Sequence, residues 1–419
     1  MTNWKEYILD EFIEFNSKIQ LKKGVVTRKV DMDKLVPFTR KVTGFERVPF
    51  TGGSKFANKD TLLARITPCL ENGKTAFVDI LKEGEIAFGS TEFIILRAKE
   101  NISNPLFVYY FAISPQFREK AISLMTGTSG RQRVDINALK QLSFDLPPLD
   151  EQKRIAEFLG AFDDKIELLQ KQNKTLEEMA KATFKSWFVD FDVVKAKQRG
   201  DAKADIMREY HLTDQLYDLF PSSFTDSPLG SIPLGWEVKS LSSIATFLNG
   251  LPLQKYPPIK GQPSLPVIKI AELRNGVSDS SNKANMNVPA DYIIKNGDVL
   301  FSWSGSLMVK LWPGGCGALN QHLFKVFSDK YPKWFYYLWV NHYMPLFQEI
   351  AADKATTMGH IQRKHLDQAL VVIPADLAEF SVYYDKLIEK QILNNKQIQT
   401  LTEFRDSLLP RLLSGKIRV

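Results

Sequence analysis

The chain carries two divergent copies of one long pattern, and any fold it adopts must accommodate both. Trp4 to Gly24 (WKEYILDEFIEFNSKIQLKKG) has an echo in Trp236 to Gly250 (WEVKSLSSIATFLNG). Asp60-Thr-Leu-Leu-Ala, followed by Gly84 to Leu96, reappears as Asp298-Val-Leu-Phe-Ser, followed by Gly314 to Val326. Pro105-Leu-Phe-Val-Tyr-Tyr matches Pro332-Lys-Trp-Phe-Tyr-Tyr, and Thr-x-Gly turns with basic residues follow at Thr128 to Arg133 and Thr357 to Lys364. Each half closes on a polar–apolar helix pattern, 151–188 and 376–413. A period this long excludes a short-repeat solenoid and implies two copies of a globular-plus-helix unit, suited to gripping two sites at a set separation.

A length of 419 residues allows two or three domains, each with its own core. No apolar run reaches transmembrane length, and the start MTNWKEYILDEF lacks a secretory apolar region, so a cytoplasmic, non-membrane protein is expected. The two cysteines fall in different halves and are expected as free thiols. The net charge of +7 is uneven. Residues 1–149 hold 22 Lys/Arg against 17 Asp/Glu (+5), and residues 150–200 hold ten of each. Residues 201–374 and 375–419 are each +1, from 16 against 15 and 7 against 6. The first globular unit therefore has a mildly nucleic-acid-seeking balance, while the neutral helices suit contacts with protein.

Gly-, Pro- and Asn-punctuated apolar runs in 1–149 read as strands, and Phe107 to Ile122 reads as a helix restarted at Ser114-Pro115. After Pro147-Pro148 the apolar period changes. Ile155, Leu159, Phe162, Ile166, Leu169, Asn173, Leu176, Ala180, Thr183 and Trp187 alternate spacings of four and three. Tyr384, Leu387, Gln391, Asn394, Ile398, Leu401, Arg405, Leu408 and Leu412 do the same. Two such seams, with amides near their middles, predict a helix pair of fixed register, each helix about 57 Å long at about 1.5 Å per residue. The alternative is that each helix packs on its own globular unit. The aromatic end of the first helix, Phe184 to Phe191, must dock on something. The expected architecture is α+β, with a globular domain at 1–149, a helix at 150–194, a linker at 195–230, a second domain at 231–374 and a second helix at 375–419.

No catalytic signature survives inspection. The histidines (211, 322, 342, 360, 365) lack partners at metal-ligand spacing, and His360-x4-His365 lacks the glutamate of a zinc-protease helix. There is no phosphate-binding lysine loop, no GxGxxG, and no Asn/Asp-Pro-Pro-aromatic loop of an amino-methyltransferase. A nuclease built on Asp226, Glu237 and Lys239 would rest on three common residues around a linker. Polar loops are better candidates. Thr128, Ser129, Gly130, Arg131, Gln132 and Arg133 combine small residues that admit a phosphate with side chains that pair with guanine or adenine. Thr356, Thr357, Gly359, His360, Gln362, Arg363 and Lys364 repeat that chemistry in the second half. Further polar candidates are Arg65, Thr67, Ser90 and Thr91, opposite Ser302, Ser304, Asn320, Gln321 and His322. Either loop set alone could equally be a solvated surface turn.

The whole chain resembles the specificity subunits of type I restriction–modification enzymes. The resemblance is strongest at Leu146 to Leu159 (LPPLDEQKRIAEFL), Thr175 to Asp192 (TLEEMAKATFKSWFVDFD), Gly230 to Val238 (GSIPLGWEV) and Leu401 to Val419 (LTEFRDSLLPRLLSGKIRV). It implies two target-recognition domains, each reading half of a split duplex DNA target. The repeated helices would form an antiparallel coiled coil that separates the domains and docks two modification subunits. Restriction subunits would complete the complex. It further implies no catalysis and no cofactor in this chain, with S-adenosylmethionine, ATP and Mg on the partners. In that setting Phe184, Trp187, Phe188 and Phe191, with Leu408 and Leu412, are expected to form a partner-binding patch that leaves the free chain poorly soluble. The chain departs from the pattern at its start, where Asn3-Trp-Lys-Glu stands for the fuller Pro233-Leu-Gly-Trp-Glu. The alternative is a two-headed protein-binding adaptor.

Overall fold

In each half an aspartate fixes the turn that launches a central strand. One carboxylate oxygen of Asp60 accepts from the Ala57 N–H at 2.8 Å, and Asp298 accepts from the Lys295 N–H at the same distance. Accepting from the N–H three residues upstream, the carboxylate closes the turn locally, a role that a divergent neighbour does not share. Asp60 is buried and also takes two 2.7 Å bonds from Arg97, so its charge stays paired inside.

The structure is a computed structural model that describes residues 3–278, 280–353 and 359–419. The chain divides into two compact units, Met1–Glu167 with Thr400–Val419, and Leu168–Gln399. The divisions fall within the two long helices, Leu149–Phe184 and Ala378–Leu412, so each unit owns a stretch of both.

The first unit has a four-stranded antiparallel sheet in the order Ile13–Phe15, Phe93–Ala98, Thr61–Ala64, Thr75–Phe77. A second sheet runs Glu46–Pro49, Val26–Val30, Ala87–Gly89, Ser54–Phe56, with its middle pair parallel. The second unit repeats both orders, as Thr246–Asn249, Leu323–Phe327, Val299–Ser302, Met308–Leu311 and as Lys283–Asn285, Ser264–Ile268, Gly317–Leu319, Ile293–Ile294. In each, the first strand pairs with the last: Lys5–Ile8 with Ser143–Leu146, and Glu237–Ser240 with Leu370–Ile373. The expected α+β duplication is therefore present, and the short entry at Asn3-Trp-Lys-Glu still suffices to close the first unit. Pro105–Ile113 and Pro115–Ser123 are separate helices because Ser114 is extended and caps the second by accepting from the Phe117 N–H. Their counterpart is one helix, Lys333–Ala352, with Pro345 inside it.

The helix pair is antiparallel within each unit, but the two stretches use different chemistry. In the first unit Ile155, Ala156 and Leu159 share a core with Leu409, Leu412 and Leu413. A buried pair follows, Arg405 to Asp163 at 2.5 Å, with Tyr110 donating to the same carboxylate at 2.6 Å. Burial, with Asp163 beside it, pushes the Tyr110 phenol far above its ordinary pKa, so it serves as a donor. In the second unit Tyr384 donates to Thr183 (3.2 Å), and Asn173 bonds both Asn394 (2.9 Å) and Asn395 (2.7 Å). Of the polar seam positions expected from the heptads, Asn173 and Asn394 are thus paired side chain to side chain, whereas the buried Gln391 Nε2 has no partner among the described residues.

Two expectations are corrected. Residues 195–230 are not a linker: helices Asp192–Arg199, Lys203–Glu209 and Asp214–Asp218 lead into a hairpin, Phe224–Ser227 with Gly230–Pro233. Val193, Val194, Ile206, Leu216 and Phe220 are buried in the second unit's core. Lys197 ties the segment down by donating to the Tyr217 and Phe220 carbonyls at 2.6 Å each over the Tyr217 ring, and burial lowers its pKa. The second correction follows from the first. Phe184, Trp187 and Phe188 are 2%, 1% and 0% exposed and pack on Phe220, Trp236, Trp334, Phe380 and Tyr384. Phe191 packs on Phe224 and Trp236. The patch assigned to a partner is covered by the second unit's own core, to which the folded segment contributes Phe220 and Phe224. Leu412 is likewise core in the first unit, and Leu408 packs against that core.

Candidate nucleic-acid interface

Three chain segments meet at one corner of the first unit. The Arg65 N–H donates to the Glu92 carbonyl (2.9 Å), the Val134 N–H to the Arg65 carbonyl (2.9 Å), and the Thr67 N–H to the Gln132 carbonyl (3.0 Å). Residues from the end of one central strand, the start of another and a late hairpin are thereby fixed side by side. That hairpin pairs Met125–Thr126 with Arg133–Val134, and Ile66 bridges to Arg133. Its tip holds Thr128, Ser129, Gly130 and Arg131 in solvent. Positive φ at Gly127 (+123°) and Gly130 (+78°) lets the chain reverse there, a conformation that favours glycine.

Side chains at this corner are organised. Arg133 donates from Nε to both carboxylate oxygens of Glu92 at 3.0 Å and from Nη2 at 2.7 Å. The Glu92 N–H donates to the Ser90 hydroxyl at 3.1 Å. Thr91 is exposed, whereas the Thr67 hydroxyl is engaged with Glu71 at 2.8 Å. Beside the pair opens a cleft of about 620 Å³ lined by Asn16, Arg65, Thr126, Arg133, Asn137 and Lys140, among others. Arg65 brings a buried Nε with no hydrogen-bond partner. Of the cations on its walls, Arg133 is held by Glu92 and Lys140 by Asp10 (3.2 Å), which leaves Arg65 to attract polyanions, and the cleft's amides add directional bonds.

The second unit builds the same corner from other residues. Ser304 bridges to His360 as Ile66 does to Arg133, and the Ile361 N–H donates to the Trp303 carbonyl as Val134 does to Arg65. Trp303 therefore stands where Arg65 does, His360 where Arg133 does, and His322 where Glu92 does. The Trp303 indole N–H donates to Asn249 (2.9 Å), and its ring lies 5.9 Å from His322 and 6.4 Å from His360. The Ser304 hydroxyl bonds the His322 Nδ1 at 3.0 Å, and Gln321 flanks the same ring. Gly359 is required here, since an added Cβ would lie 2.3 Å from the Ala351 carbonyl oxygen. Asn320 borders a cleft of about 280 Å³ with Gln254, Lys269, Asn282 and Lys283.

The sequence candidates divide accordingly. Arg65, Ser90, Thr91, Gln132 and Arg133 come together in one unit, and Ser304, Asn320, Gln321, His322 and His360 in the other. Ser302 does not join them: it is fully buried, and its hydroxyl donates to the Ser306 carbonyl and accepts from the Met308 N–H. Nor is Arg363 the counterpart of Arg133. It opens the helix Arg363–Gln368, donates to the Phe247 carbonyl at 3.2 Å and lies over the Phe324 ring, with Gln362 as cap and Lys364 exposed beside it. Thr356 and Thr357 lie outside the described residues. Glu92, Lys140, Asn16 and Asn137 in the first unit, and Asn249, Lys269, Asn282 and Lys283 in the second, were missed. Recurrence of Ser90-Thr-Glu opposite Asn320-Gln-His was the one signal that could have raised Glu92.

The sequence profile of a family described as the type I restriction modification DNA specificity domain matches residues 1–178 and again 233–402. This chain belongs to that family. The two matched segments correspond to the two copies of the sheet pair. The chain is 28% identical to the MjaIX specificity subunit of Methanocaldococcus jannaschii over 320 residues, covering 74% of this chain and 68% of that one. It is 24% identical to the HindI specificity subunit of Haemophilus influenzae, with both chains covered in full. An S subunit from M. genitalium of known crystal structure aligns over 98% of this chain and 96% of its own at a TM-score of 0.51 and 14% identity, a likeness of fold. The chain is thus a type I restriction–modification specificity subunit by family, and its two corners are candidate elements of DNA recognition.

Proposed function

We propose that each unit reads one half of a bipartite duplex DNA target through its corner, and that the long helices set the spacing and dock two modification subunits. The observation that carries this reading is the pair of corners, equivalent in backbone and different in side chains. A duplicated framework with unlike reading groups suits two unlike half-sites on one duplex. The clefts beside them supply cations for phosphates, and the amides and arginines supply base-edge donors. The chain itself is assigned no catalysis. Methyl transfer from S-adenosylmethionine belongs to the modification subunits, and ATP- and Mg-dependent steps belong to the restriction subunits, all in the cytoplasm.

Because Phe184, Trp187, Phe188 and Phe191 are used internally, the docking face is assigned to apolar residues left outside on the helices. These are Phe158 and Phe404 in the first unit, and Leu168, Met179, Val382 and Leu393 in the second, all exposed. Filter binding of the purified chain to duplex DNA, in chelator and without cofactor, tests the assignment of function. Retention without cleavage, unchanged when Mg is restored, is expected. No retention would favour a protein-binding adaptor, and cleavage on restoring metal would make the chain a nuclease.

A further inference from the structure

We propose that Glu92 is a positioning residue that presets Arg133 to read a guanine in the half-target of the first unit. The inference rests on the DNA-reading function proposed above and assigns a base to one of its contacts. Both residues sit on anchored backbone: Glu92 through the Arg65 N–H and the Ser90 hydroxyl, Arg133 through its bridge to Ile66. The carboxylate takes the Nε–Nη2 edge of the guanidinium. What remains is the Nη1–Nη2 end, whose two parallel N–H groups match the O6 and N7 acceptors of guanine in the major groove. Among the described residues that end makes one other bond, a long one of 3.4 Å from Nη1 to the Arg131 carbonyl.

Stability does not account for this pair. Arg133 is 43% and Glu92 25% exposed, and exposed ion pairs contribute little to folding. Attraction to phosphate does not account for it either. A carboxylate clamped on an arginine cancels the charge that would draw DNA in, and it repels the backbone. What the carboxylate does supply is direction: it removes rotameric freedom from a long side chain and fixes the plane of its fork. Nonspecific attraction is left to Arg65 on the cleft wall, since Lys140 is itself paired with Asp10 at 3.2 Å. In the second unit the equivalent positions are His360 and His322 around Trp303, so no guanidinium–carboxylate pair stands there. Guanine selection at this place belongs to the first unit alone.

The test is selection of randomised duplex DNA by the full chain, assembled with its modification subunits, comparing wild type with Glu92→Gln, Arg133→Lys and Arg133→Ala. Wild type is expected to select an invariant G·C pair in one half-motif. Arg133→Lys keeps the charge but loses the fork, so discrimination at that pair falls about ten- to hundredfold while every other position is retained. Glu92→Gln relaxes the same pair and, having lost a negative charge, binds unrelated DNA more tightly than wild type. A merely structural Glu92 would not produce that opposite pair of changes. Unchanged base preference in Glu92→Gln, or equal weakening of all sequences by Arg133→Ala, overturns the proposal while leaving the DNA-reading function standing. A wild-type complex that selects no motif overturns both.

Discussion

The two units share every strand of their paired sheets yet place their polar groups differently. The first stakes its helix seam on buried charge, with Arg405, Asp163 and Tyr110 interlocked and Arg40 bound to Asp164 (2.5 Å) and Glu167 (2.7 Å). The second stakes the same region on aromatic packing, with Trp334 stacked on Tyr384 at 4.4 Å and Phe188 and Trp187 alongside. Their corners differ in the same sense, a guanidinium–carboxylate pair in one and an indole between two imidazoles in the other. Two of the three backbone bonds that assemble the first corner recur in the second, from the Gly305 N–H to the Gly359 carbonyl and from the Ile361 N–H to the Trp303 carbonyl, while the side chains on them differ. Duplication has kept the frame while the corner side chains have diverged.

The largest expected effect breaks the seams. Asp163→Ala leaves buried Arg405 with only the half-exposed Asp406 (2.8 Å) and strips the Tyr110 hydroxyl of its acceptor, and should destabilise the protein by about 3 kcal/mol. Trp187→Ala should cost a similar amount, about 3–5 kcal/mol, through lost packing. Denaturant unfolding checks both, and the contrast appears on double replacement. Asp163→Leu with Arg405→Leu, in a Tyr110→Phe background that removes the hydroxyl otherwise stranded, should be neutral or stabilising, because the desolvation of both charges is removed. If the double replacement is as damaging as Asp163→Ala, the charges are not the exchangeable part of the first seam.

A smaller effect sharpens the comparison of the outer faces. Phe404→Ala in the first unit and Leu393→Ala in the second should each weaken association with modification subunits by about 1–2 kcal/mol, leaving thermal unfolding of the free chain unchanged. Phe188→Ala should do the reverse, lowering stability without a specific loss of assembly. Titration of the partner onto each variant separates them, and wild-type affinity in Phe404→Ala and Leu393→Ala alike would take the docking face off these helices.

The smallest expected effect concerns the helices as a spacer. Four residues inserted beside Asn173 and four beside Asn394 add about 6 Å to each helix. The unread gap should lengthen by about two base pairs at about 3.4 Å each, with the half-sites unchanged and affinity somewhat reduced. A variant that keeps the original gap removes the helices from the spacing mechanism.

Much of this architecture was legible in the residues. The repeated Asp60 and Asp298, the matched glycine-rich turns and the heptad seams depend on local periodicity, which a sequence displays directly. The corners were half legible: Arg65, Ser90 and the Arg131–Arg133 loop could be named, but not that Glu92 grips Arg133 across 41 positions. In the second unit His360, Arg363 and Lys364 were equal candidates in the sequence, and the backbone bridge singles out His360. The segment 195–230 was misread because its buried residues sit on three short helices with no sustained period. The aromatic helix end failed for a different reason: apolar area shows that burial is needed, never which surface provides it.

The central claim is that two independent readers share one duplicated frame. Its most direct test is base-resolution mapping of methylated adenines in DNA from cells that carry this chain and its modification subunits. The map should show two short specified blocks separated by a fixed, unspecified gap. Arg133→Ala should relax one block only, by about 1–3 kcal/mol at the affected position, and Gln321→Ala the other only. A single contiguous block, or one substitution that alters both blocks, would contradict the account.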